Sequence, residues 1–263
     1  MGRCGNRPYQ MNDEFYIGWE AKAAPGIGRT VRRAVVVMLA LALLVPVVLA
    51  LAQRLIGVSV FEWGNHKLFS GILQLTPYPH LLVPRPGHSD GQSRYSTYYL
   101  VAPWKFGLDR TALAAFDGKA ITLQGTLIYR GNQTMIEVQP GTIQATNTTA
   151  AAVLPPAITL GRQTLTGEIV DSKCFLGVMN PGQLTPHRAC AIRCISGGVP
   201  PVLLIRQKNG PAIYLLLVAP NGKPVNKQVL NLVAEPIEIT GEVERQGDLL
   251  ILRADPATYR RGK

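Results

Sequence analysis

The feature that most constrains this chain is a gap in its charges. From Ala34 to Gln53 twenty residues carry no charge and are nearly all Ala, Val or Leu, bracketed by Arg32-Arg33 and Arg54. A helix rises about 1.5 Å per residue, so this stretch spans the roughly 30 Å hydrocarbon core of a bilayer. Pro46 lies inside it, which membrane helices tolerate when neighbouring groups satisfy the freed carbonyl. A buried core helix of a soluble domain would normally carry some polar residues and caps, whereas here the one polar side chain is Gln53 at the very end.

Lys22, Arg29, Arg32 and Arg33 precede the span against one nearby acid, Glu20. By the positive-inside rule residues 1–33 are a cytoplasmic tail, 34–53 a single transmembrane helix, and the remainder extracytoplasmic. Ala50-Leu51-Ala52 has the small-residue pattern of a signal-peptidase site, but the apolar run exceeds a usual signal h-region, which favours a retained signal anchor. Arg32-Arg33 is a loose match to a twin-arginine signal. The expected location is the bacterial inner (plasma) membrane, with the bulk of the chain in the periplasm.

Beyond Gln53 the chain has 21 Lys/Arg and 13 Asp/Glu, a surplus of 8 (21 − 13). The basic residues are scattered, which fits a solvated surface as well as an acidic partner. Alternating apolar and polar segments read as strands: 69–75, 96–103, 120–129 and 134–140, then 164–170, 202–207, 212–220, 237–244 and 249–254. The loop 78–95 holds His80, His88 and Asp90, read as exposed polarity.

The two halves resemble each other. Leu100–Pro103 recurs at Leu217–Pro220, a shift of 117 (217 − 100), and Gly125 and Gly131 match Gly241 and Gly247 at a shift of 116 (241 − 125). A period this long means duplicated domains and not a solenoid. The fold class expected is mainly β: the transmembrane helix followed by two tandem OB-like small β-barrels, residues 54–146 and 158–263, joined by a linker at 147–157.

Duplication exposes an insert in the second copy at 172–201, an appendage to that barrel carrying Cys174, His187, Cys190 and Cys194 in the spacing C-x12-H-x2-C-x3-C. If 186–194 is helical, His187, Cys190 and Cys194 share one face, and Cys174 closes the set from the opposite side. Three thiolates and an imidazole complete a tetrahedral shell for zinc and are soft enough for copper, with iron a poorer match. Asp171 and Met179 are candidates for a supporting position or weak ligand, and Lys173, Arg188 and Arg193 for the cations that favour thiolate. Cys174 also lies within reach of a disulfide to Cys190 or Cys194, which would staple the insert.

The C-x3-C pair is similar to that of copper proteins of respiratory membranes, although the second histidine and the methionine of a binuclear copper centre do not follow Cys194. The run DSKC…HRACAIRCISGG also resembles a signature of uncharacterised bacterial exported proteins, with D-x-x-C, then C-x3-C, and a β-rich tail of the form V-x-I-x-G-x-V. The resemblance covers Thr164 to the C-terminus and implies an envelope location without an activity.

Together these point to a membrane-anchored accessory protein of a redox or respiratory-type membrane system with a metal or dithiol site, more an auxiliary than an enzyme. Its expected partners are the membrane and another membrane or periplasmic protein. Nucleic acid is not an expected partner, because aromatics are sparse outside Tyr95, Tyr98, Tyr99 and Trp104. The alternatives are a thiol-dependent oxidoreductase or transferase using Cys190 or Cys194 with His187 as base, and an interaction protein with an inert disulfide.

Overall fold

The computed structural model describes residues 24–53, 59–85, 94–146, 156–207 and 211–262. The expected features at Lys22, His88 and Asp90 and most of the linker lie outside these residues. The chain divides into two compact units, Met1–Ile56 and Gly57–Lys263.

In the first unit, helix α1 runs Pro25–Gln53, longer at its N-terminal end than the charge gap alone. Pro25 opens it, where the missing N–H costs nothing, and Arg29, Arg32 and Arg33 ride on its first turns. Its apolar window has mean hydropathy 3.1 and no buried side chains, long and apolar enough to cross a membrane.

The second unit holds the duplication. In the first copy, β1 (Val60–Phe61), β2 (Lys67–Gln74), β3 (His80–Pro84), β4 (Tyr95–Val101), β5 (Ala120–Arg130), β6 (Gln133–Val138) and β7 (Gln144–Ala145) form one sheet. Its path β5-β2-β3-β4-β6 closes because β5 also pairs with β6, and β4 meets β6 in parallel. The second copy repeats this with β8 (Ala157–Asp171), β9 (Pro201–Ile205), β10 (Ile213–Val218), β11 (Pro236–Gln246) and β12 (Leu249–Arg253), while β13 (Arg260–Arg261) pairs with β11. There β10 meets β12 in parallel and β11 closes the ring. Each copy is a closed five-stranded barrel of the OB type, as the strand count implied.

The matched glycines have matched causes. A Cβ on Gly71 would sit 2.5 Å from the Leu82 carbonyl oxygen, and one on Gly167 would sit 2.6 Å from that of Leu204. Both mark the point where the long first strand of a barrel crosses its neighbour too closely for a side chain. Gly131 and Gly247, in the last hairpin of each barrel, have φ of +59° and +61°, the left-handed conformation that such turns require.

One strand was not legible. Residues 80–84 read as loop because His80 and two prolines interrupt the pattern, yet they form β3. His80 is buried, and its Nδ1 lies 2.8 Å from the Tyr78 carbonyl, to which it donates. Burial holds its pKa below the ordinary value of about 6.5. The unfolded chain therefore takes up a proton there that the folded chain refuses, and this contribution to stability is present above the unfolded pKa and lost as pH falls from it through the lower folded pKa. Urea midpoints should fall between about pH 7.5 and pH 5, and His80→Asn should flatten that dependence. An equally steep fall in the variant would assign the effect to other groups.

Candidate metal centre

The insert is not an appendage. It is the packing between the barrels, because one hydrophobic cluster joins Tyr78, Tyr99, Ile128 and Met135 of the first copy to Val170, Phe175, Leu176 and Leu216 of the second. Phe175 stacks on Tyr214 with ring centroids 5.7 Å apart, and the Arg130 guanidinium carbon lies 4.5 Å from the centroid of the Phe175 ring. Arg130 Nε donates to the Phe175 carbonyl at 2.7 Å. A Cβ on Gly177 would lie 2.3 Å from the Val60 carbonyl oxygen, so the insert's first turn touches the first barrel's backbone.

After β8 the chain makes a wide helical turn over Cys174–Val178 and reaches α2 (Arg188–Ser196) through a single 3-10 turn ending at His187. Ala191 and Ile195 pack into the second barrel's own core while Cys194 faces the seam. Gly197 and Gly198 end the helix, with Gly198 at φ +101°. Asn226 Nδ2 donates to the Ile195 and Val199 carbonyls at 2.8 and 2.9 Å, tying the end of the helix to the segment that follows it. At the insert's other edge Glu168 accepts from Leu184 N–H and is paired with Arg206.

The four predicted residues fall into two overlapping groups that share Cys174. The three thiols are free, and Cys174 Sγ lies 3.8 Å from both Cys190 Sγ and Cys194 Sγ. Cys174, His187 and Cys190 offer ligand atoms within 4.8 Å of one another, as do Asp171, Cys174 and Cys194. Cys174 and Cys194 are buried and Cys190 is half-exposed. Two thiolates on a tetrahedral ion at a bond length of about 2.3 Å stand about 3.8 Å apart, the separation found here.

Asp171, fully buried, organises the set. Its Oδ1 accepts the Cys174 N–H at 2.8 Å and its Oδ2 accepts His187 Nε2–H at 2.9 Å. With Nε2 protonated, Nδ1 keeps its lone pair, the carboxylate–histidine arrangement that orients metal-binding imidazoles. The other candidate, Met179, is 45 % exposed.

The cation at the thiols is not one that the sequence suggested. Lys173 turns away from them and is buried in the seam, pairing with Glu137 Oε2 at 2.5 Å and donating to the Ala102 and Trp104 carbonyls. Arg188 pairs with Glu235 instead. The neighbouring ammonium belongs to Lys105 of the first barrel, 2.7 Å from Cys190 Sγ. Its contact with Cys190 raises its pKa. Between the buried thiols the shared hydrogen bond is the main cause of both shifts, lifting Cys174 and lowering Cys194, with burial adding to the rise at Cys174.

No family model matches the chain, and no curated protein matches it. Among solved structures it is similar to the single-stranded DNA binding protein from Thermus aquaticus at 14% identity, covering 78% of this chain and 94% of that one with a TM-score of 0.21. A deletion mutant of that protein gives 14% identity, coverage of 78% and 95%, and the same TM-score of 0.21. Likeness at that score carries no inference about what this chain binds.

Proposed function

We propose that the chain is a membrane-anchored, extracytoplasmic accessory protein of a redox membrane system in a bacterial envelope, using Cys174, His187, Cys190 and Cys194 to hold one zinc or copper ion. The observation that carries this reading is the pair of 3.8 Å sulfur–sulfur separations centred on Cys174. A disulfide needs its sulfurs at about 2.05 Å, whereas a shared d10 ion needs the spacing present. Four protein ligands fill a tetrahedral shell and leave no open position, which suits a structural or carrier site better than a hydrolytic one. Such an ion supplies a closed thiolate–imidazole centre, with Asp171 orienting His187. The apolar helix supports the membrane location and its basic flank an exported bulk; the partner in this reading is another membrane or periplasmic protein.

Elemental analysis of the full-length protein in detergent tests this. About one zinc or copper per chain is expected, lost in Cys190→Ser with the β-sheet circular dichroism retained, because Cys190 is half-exposed and its loss leaves the core filled. Metal-free protein carrying a disulfide from Cys174 would overturn the metal site in favour of a staple.

The Lys105 contact favours a second reading, a thiol-dependent oxidoreductase or transferase with Cys190 as the accessible thiol. Protein isolated metal-free, with Cys190 free and rapidly alkylated, would support it over the first.

A further inference from the structure

We propose that Lys105 and Cys190 form a covalent, oxygen-bridged cross-link, Nζ–O–Sγ, when the site meets dioxygen. The proposal stands on this pair alone and goes beyond the metal reading. Its first support is the separation of 2.7 Å between Lys105 Nζ and Cys190 Sγ. Even a hydrogen bond to the smaller oxygen atom commonly spans about 2.9 Å. A direct bond is shorter than either, since two larger sulfurs bond at about 2.05 Å. The gap between these limits is that of two atoms joined through one bridging atom.

The second support is that neither partner arrives by chance. The Lys105 loop is tied down by Lys173, whose Nζ donates to the Ala102 carbonyl at 2.8 Å and to that of Trp104 at 2.6 Å. The loop is also docked on the end of α2, where Gly107 N–H donates to the Gly197 carbonyl at 2.9 Å. Gly197 is the residue that permits this, because a Cβ there would lie 2.1 Å from the Lys105 carbonyl oxygen. A lysine anchored at its backbone and a cysteine fixed on a packed helix meet with little conformational entropy left to lose.

Access is the third support. Lys105 is exposed and Cys190 half-exposed, while Cys174 and Cys194 are buried, so an oxidant from solvent reaches the thiol that has the amine beside it. The reaction balances with dioxygen as co-reactant. The S–H bond and one N–H bond break, S–O and N–O bonds form to one oxygen atom, and the other oxygen leaves as water with the two hydrogens. Sulfur and nitrogen each give up two electrons, and dioxygen accepts the four. The product ties the first barrel to the second and takes Cys190 out of the ligand set, so on the metal reading filling the site and bridging it exclude each other.

The test uses full-length protein in detergent, cleared of metal with a chelator, held in air or under argon, then denatured, alkylated and digested with trypsin. In air, the segments carrying Lys105 and Cys190 should travel as one species, heavier than their sum by one oxygen less two hydrogens, about 14 Da. Dithiothreitol should separate them, and argon, Lys105→Arg or Cys190→Ser should prevent the joining. Alkylated Cys190 after air exposure, or Cys190 in a disulfide with Cys174 while trypsin cuts at Lys105, would overturn the cross-link. Metal content of a reduced sample, measured separately, scores the metal reading, so either can fail without the other.

Discussion

Replacing Lys173 with methionine should destabilise the two-barrel unit by about 3–5 kcal/mol, the cost of breaking a buried ion pair from one side. Lys173 is 1 % exposed, and its ammonium serves three acceptors of the first barrel, Glu137 and the carbonyls of Ala102 and Trp104. Methionine fills the volume but leaves the Glu137 carboxylate in the seam without its cation. Urea unfolding of the full chain, followed by tryptophan emission, measures the loss. The double variant Lys173→Met with Glu137→Leu should recover most of it, because an apolar pair of similar volume can replace a buried ion pair at little cost. A loss below about 1 kcal/mol in the single variant would mean that the ammonium is not held in the seam.

Asp171→Ala should strike stability and metal affinity together. Removing the carboxylate leaves the buried Cys174 N–H and His187 Nε2–H without acceptors, at a cost of about 3 kcal/mol. It also frees the imidazole to rotate, and loss of such an orienting partner weakens metal binding by about 10–100-fold. Competition with a chromophoric zinc chelator reads the second effect under conditions where the variant is still folded. Asp171→Asn keeps one acceptor oxygen and should fall between the two. Unchanged affinity in Asp171→Ala would remove His187 from the ligand set.

Much of this was legible because it depends on local pattern. The period-two runs gave nine of the barrel strands, and the repeated glycines are copies of two geometric necessities, a close strand crossing and a left-handed hairpin turn. Helix α2 and its cysteine face followed from spacing alone, with His187 just ahead of the first turn. What escaped depends on contacts between distant residues. Nothing in Pro103–Gly107 announces that Lys105 will meet a cysteine 85 positions away. Lys173 reads as a solvated lysine beside a reactive thiol until the first barrel's Glu137 is placed against it. β3 was hidden because the alternation it should show is replaced by burial on both sides, with His80, Leu81 and Leu82 all inside.

The seam has a consequence for the birth of the molecule. Its ties are long in sequence: Tyr78 Oη donates to the Leu217 carbonyl and accepts from Val225 N–H, and Arg85 pairs with Asp248. The first barrel can close once β6 has been made, but residues 139–263 are still to come. At about 5–20 residues per second, that is an interval of roughly 6–25 s. Throughout it Tyr99, Val101, Ile128 and Met135, all sealed in the finished protein, lack the half that covers them. The nascent chain thus carries a sticky face during its most exposed moments, and its yield depends on how fast the second barrel follows the first.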